Sequence, residues 1–194
     1  MKTENSVRYI LRLALTLLLI CAVVAGALAG VNTITKDRIA ERKAEKTQKA
    51  IAEVLPGAVK VEEVAFTDTT GMVTKVYRSD LSLSSASSSA FGYAVEVTPS
   101  GFGGNITMMV GVSDNGEVLG IAIISHTETP GLGAVSAANN KKGNAFRAQF
   151  LGLAGIITIG SGEGQVDALS GATITSQAVV DGVNAALECI RNMG

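Results

Sequence analysis

The spacing of apolar positions changes character along the chain, and each change marks an element. Leu13 to Val31, LALTLLLICAVVAGALAGV, runs 19 residues without a charge. At ~1.5 Å per helical residue this length matches a hydrocarbon core of ~30 Å. Arg8 and Arg12 precede it and a basic stretch follows. The run therefore reads as an uncleaved transmembrane helix, after a tail at 1–12. A signal peptide cut after Ala27 to Ala29 is the weaker reading, because such apolar regions span only ~7–15 residues. A lipoprotein signal would want a small residue just before Cys21, where Ile20 stands. Residues 32–57 read as a helical stalk, with KDRIAERKAEKTQKAIAEVL (36–55) as its solvated helix. Ile39, Ala40, Ala44, Ile51, Val54 and Leu55 give it a loose apolar side, Glu45 and Lys49 form an i,i+4 pair, and Pro56-Gly57 ends it.

Beyond Val59 the period shortens to 2. Strands are predicted at VKVEEVAF (59–66), MVTKVYRS (72–79), FGYAVEVTP (91–99), NITMMVGVS (105–113) and EVLGIAIISH (117–126). Asp114-Asn115-Gly116 reads as a hairpin turn, since Asn and Gly tolerate positive φ. Ser82 to Ser89 reads as a loop tip, and TPSGFGG (98–104) joins two strands through three glycines. Then come a polar NNKKGN loop, a short helix over 145–151 and a strand at GIITI (155–159). A last helix is predicted over Gln177–Met193, capped by Thr175 or Ser176. Its packed face is Ala178, Val179, Val183, Ala186, Leu187 and Ile190. Strands followed by helices make residues 58–194 an α+β domain with a small antiparallel sheet.

Composition removes several classes of function. Net charge is -1 and aromatics are 4% with no Trp, which excludes a basic, stacking nucleic-acid surface. One histidine, His126, and two cysteines, Cys21 and Cys189, supply neither a metal cluster nor a disulfide framework. Mean hydropathy of +0.35 reflects the N-terminal run.

The chemistry concentrates in VDALSGATITS (166–176), where threonines lie beside Gly171 and Ala172. One reading is a loop and helix cap. A serine hydrolase lacks a neighbouring base. A noncovalent phosphate site at the helix start lacks the Lys and second Gly of a P-loop. The fourth reading is a threonine modified by another enzyme: Gly171 and Ala172 leave room for a second active site, Asp167 can position a metal or proton acceptor, and a phosphoester on Thr173 meets the N–H groups of the first turn.

DALSGAT (167–173) resembles the flavinylation signal of FMN-binding domains, and HTETPGLG (126–133) resembles their other hallmark segment. The resemblance spans roughly residues 85 to 190, and the N-terminal anchor extends it to the G subunit of the Rnf electron-transport complex. The C subunit of the sodium-pumping NADH:quinone reductase is similar. The resemblance implies FMN joined through its phosphate to Thr173 by a separate flavin transferase that uses FAD and magnesium. Asp167, Ser170, Gly171 and Ala172 match the recognition string, Ala168 stands where a Gly is common, and Thr175 is a less favoured acceptor. His126, Glu128, Thr129, Pro130, Gly131, Leu132 and Gly133 would form one wall of the flavin pocket, with Glu128 and Thr129 making polar contacts. Phe102 and the Gly101–Gly104 loop would pack near the flavin, with a place in the core as the alternative for Phe102.

The implied function is electron carriage in a redox-driven ion translocase, with other membrane subunits of the Rnf complex as partners and no turnover by this chain alone. A stand-alone extracytoplasmic flavoprotein and an anchored binding domain without flavin are the alternatives. The resemblance puts the FMN domain on the extracytoplasmic side of the cell membrane, anchored by a single pass. Charge bias does not decide this, because Lys2, Arg8 and Arg12 face six basic residues at 36–49. Gly26 and Gly30, with Ala22, offer a close-packing helix face.

Overall fold

A computed structural model of the chain describes residues 2–81 and 90–193; the expected serine-rich loop tip lies outside them. The chain divides into two compact units, Met1–Glu45 and Lys46–Gly194. Helix α1 (Lys2–Val54) contributes residues to both.

In the first unit the helix is exposed from Tyr9 to Glu45, apolar at first and charged from Lys36 on. From Tyr9 on it contains an 18-residue window of mean hydropathy 2.6, long and apolar enough to cross a membrane. Its hydroxyls are satisfied locally. Thr16, Thr33 and Thr35 donate to the carbonyls of Leu13, Ala29 and Val31 at 2.8, 2.9 and 2.8 Å. Such back-bonding satisfies the hydroxyls within the helix itself.

The second unit is built on a five-stranded antiparallel sheet in sequential order: β1 (Ala58–Val64), β2 (Val73–Leu81), β3 (Ala90–Val97), β4 (Thr107–Ser113) and β5 (Val118–Ser125). Alternation sorts its residues to two faces. Val76, Val95, Val97, Met108, Val110 and Val112 join a core with α3 (Thr173–Met193) and with Phe146 and Phe150. Ala94, Met109 and Ala122 join a second core with Ala50, Ile51, Val54 and Leu55. The end of the predicted stalk is therefore buried, not solvated. Gly111 and Gly120 pair across β4 and β5, and a Cβ at Gly111 would collide with the Val54 carbonyl. The missing side chains are what let the helix backbone rest on the sheet.

The 114–116 hairpin forms, but only Gly116 takes positive φ, at 78°. Asn115 stays in ordinary backbone space, and Gly116 N donates to Ser113 O at 3.0 Å. The expected NNKKGN loop is instead the start of α2 (Lys141–Ala148), because the Asn140 side chain caps it by accepting from Gly143 N at 2.9 Å. GIITI shrinks to β6 (Thr158–Ile159), paired in parallel with β7 (Gln165–Val166). Asn184 of α3 takes the backbone of the preceding residue instead, accepting from Ile157 N at 2.9 Å and donating to its carbonyl at 2.8 Å. Helix α3 begins one turn before Gln177, so Thr175 and Ser176 lie inside its first turn rather than at its cap. Both cysteines are free. Burial pushes the Cys189 thiol above its ordinary range, which keeps it protonated and inert.

Candidate functional site

Three segments distant in sequence meet at one end of the sheet: the 101–104 loop, the 126–133 loop and the first turn of α3. Between them lies a cavity of about 370 Å³, lined by Phe102, Glu128, Thr129, Leu132, Gly133 and residues 171–175. Pro130-Gly131 reverses the second segment, with Leu132 N donating to Thr129 O at 3.2 Å. A 3-10 turn at Gly133–Ala137 follows. Arg147 of α2 holds that turn by donating to the Ser136 carbonyl at 2.6 Å.

Glu128 sits at the centre, only 5% exposed. One carboxyl oxygen accepts from Gly103 N at 2.8 Å, and the other accepts from the Thr175 hydroxyl. The glycines around it are required by space: a Cβ at Gly101 or Gly133 would strike the carboxyl group. His126 Nδ1 accepts from the Glu128 amide at 3.2 Å. That bond closes a local turn.

The first turn of α3 shows why the string SGATITS has its composition. Gly171 takes φ of 75°, a left-handed geometry that other residues resist, and its Cα hydrogens face Leu132 where a Cβ would stand 3.1 Å away. The carbonyl of Ala172 accepts the first intrahelical bond, from Ser176 N at 2.9 Å. Ala172 thus holds the N-cap position, yet alanine has no side-chain acceptor for the N–H groups of the first turn. Those groups and the helix dipole favour an anion there. Thr173 is exposed at the cavity edge; Thr175 is buried.

Of the residues expected from sequence, Glu128, Thr129, Leu132, Gly133, Gly171, Ala172 and Thr173 line the cavity. His126, Pro130 and Gly131 build the loop behind it. Asp167 and Ser170 lie exposed on the approach to α3. Asp167 is oriented by neighbours: its amide donates to Gln149 Oε1 at 2.8 Å, and its carboxylate accepts from Ser161 at 2.8 Å. Phe102 is 68% exposed, so it belongs to the cavity mouth and not to the core. Sequence reasoning named the Gly101–Gly104 loop, whose Gly103 holds Glu128, but missed Gln149, Arg147 and Ile174, whose places are set by tertiary contact.

Residues 101–188 match the FMN-binding domain, and residues 1–54 match the RnfG N-terminal region. The chain is 31% identical over 202 residues to the G subunit of the Na⁺-translocating ferredoxin:NAD⁺ oxidoreductase complex of Acetobacterium woodii, a match that covers 99% of this chain and 97% of the relative. The chain belongs to the RnfG family. Its identity to the G subunit of the ion-translocating oxidoreductase complex of Methanosarcina acetivorans is 35% over 185 residues, covering 93% of this chain and 94% of the other. The fold is that of the C subunit of the Na⁺-translocating NADH-quinone reductase from Parabacteroides distasonis, with a TM-score of 0.55 at 18% identity over 77% of this chain and 93% of that one.

The residues present in this RnfG chain fit an FMN. The cavity volume lies within the ~300–1,000 Å³ common for cofactor sites. Phe102, Leu132 and Ile174 put exposed apolar surface at its mouth, suited to a flat aromatic ring. The uncapped first turn of α3 suits a phosphate.

Proposed function

We propose that this chain is the membrane-anchored, FMN-carrying subunit of an Rnf-type ion-translocating oxidoreductase, and that FMN is held by a phosphoester on Thr173. Its family places it in membrane-associated electron transport with other Rnf subunits as partners. When bound, FMN supplies one- and two-electron transfer. The observation that carries the reading is the position of Thr173, exposed at the cavity edge on the first turn of α3.

In this reading the attachment is made by a flavin transferase. The Thr173 Oγ–P bond forms as the pyrophosphate bond of FAD breaks, AMP leaves, and the hydroxyl proton passes to a base of the transferase. Exposed Asp167 and Ser170 supply the docking string. Gly171 keeps side-chain bulk away from the hydroxyl. Ala172 leaves the first-turn N–H groups of α3 for the ester phosphate. Phe102, Leu132 and Ile174 shelter the ring from water, while Glu128, held by its own neighbours, keeps the cavity wall in place.

The same reading puts the FMN domain outside the cytosol. There a covalent ester prevents loss of a cofactor that the cytosolic pool cannot replace.

The test is co-expression of the full chain with an FAD-dependent flavin transferase. The expected product shows a fluorescent band that survives denaturing electrophoresis, and Thr173→Val loses it. A colourless wild-type band alongside active transferase would overturn the reading.

A further inference from the structure

We infer that the Glu128–Thr175 hydrogen bond is a positioning latch: it presents the Thr173 hydroxyl for flavin transfer by fixing the first turn of α3 against the 126–133 loop. The inference rests on the proposed attachment at Thr173 and gives Glu128 a role in making the holoprotein, distinct from contact with the flavin.

Both carboxyl oxygens of Glu128 are engaged within the protein, one by Gly103 N and one by the Thr175 hydroxyl. The two partners lie on different segments, so this one side chain joins the 101–104 loop, the 126–133 loop and α3. Gly101 and Gly133 make the room this carboxyl group occupies, because a Cβ at either would strike it. Successive helical residues are turned by ~100°. Two positions apart, Thr173 and Thr175 therefore point to nearly opposite sides of the turn. Fixing Thr175 inward fixes Thr173 outward. Ser176 steadies the other side by accepting from Leu169 N at 2.9 Å and donating to Ala172 O at 3.0 Å, but it makes no tie to the 126–133 loop. Without Glu128 the turn keeps its helical bonds and loses its registration against the cavity.

The bond is local to the acceptor, whereas Asp167, at the start of the docking string, is held by Gln149 and Ser161. Breaking the latch should therefore slow transfer once the transferase has docked, with little change in docking.

The experiment measures flavin transfer from FAD to the full chain in detergent, with purified transferase and magnesium. Variants are Thr175→Val, which keeps shape and removes the hydroxyl, Thr175→Ser, which returns it, and Glu128→Ala. Misplacing a reacting group by ~1 Å can cost about 100-fold. The expected result is a kcat lowered at least about tenfold in Thr175→Val and Glu128→Ala, a KM for the chain near wild type, and recovery in Thr175→Ser. The double variant Glu128→Ala/Thr175→Val should be no slower than the worse single variant. Helical content by circular dichroism accompanies each assay, and the substrate concentration is counted as folded chain. Wild-type kcat in folded Thr175→Val overturns the latch, as does a defect confined to KM. Failure of wild-type chain to accept FMN overturns the attachment reading itself, and Thr173→Val marks that background.

Discussion

The first turn of α3 has two sides that differ in almost every physical respect. Its inner side, Ala172, Thr175 and Ser176, is buried and bound to neighbouring segments. Its outer side, Gly171, Thr173 and Ile174, is exposed around the cavity. Two threonines of identical chemistry are thus separated by direction alone. A hydroxyl committed to a buried carboxyl group is structural; one left outward in a small-residue setting is available to another enzyme. On the proposed reading, the modification site combines two things: an open residue, and an adjacent closed one that holds it still.

Substitutions can break that contrast, and the largest effect is expected on the outer side. Thr173→Val should remove all covalent flavin while changing unfolding free energy by no more than about 0.5 kcal/mol, as is usual for exposed positions; flavin fluorescence and thermal melts on the same samples check both halves. Next comes the inner side. Thr175→Val leaves a carboxyl oxygen of Glu128 buried without its partner, and should cost about 1–3 kcal/mol in chemical denaturation. Ser176→Ala removes the acceptor for Leu169 N and should cost about 1 kcal/mol, read in the same way. The smallest effect is at Ile174→Ala, where stability should stay within about 0.5 kcal/mol. A stability loss at Thr173 larger than that at Thr175 would erase the distinction between the sides.

Much of this arrangement was legible in the chain. The sheet followed from short β-branched runs bounded by turn signals, although only β3, β4 and β5 bury residues in both cores, and the apolar run at 13–31 stood out by length alone. DALSGAT and HTETPGLG pointed to segments that the fold brings to one cavity. What escaped was decided by tertiary contact. Thr175 and Ser176 resemble cap residues by type, but Ala172 takes the cap position and burial claims the other two. Glu128 and Thr175 lie 47 residues apart, with no spacing rule to join them. The burial of Ile51, Val54 and Leu55 was hidden because an amphipathic stalk and a docked helix end share one pattern. The glycines at 111 and 120, facing Val54, were its only trace.

The central claim is the bond at one oxygen. Peptide mass spectrometry of residues 160–190, from chain purified out of its own membrane, tests it most directly. The account predicts a fragment heavier by an esterified FMN, with the added mass localised to Thr173. The same fragment with Thr173 unmodified, or with the flavin on Thr175, would contradict it.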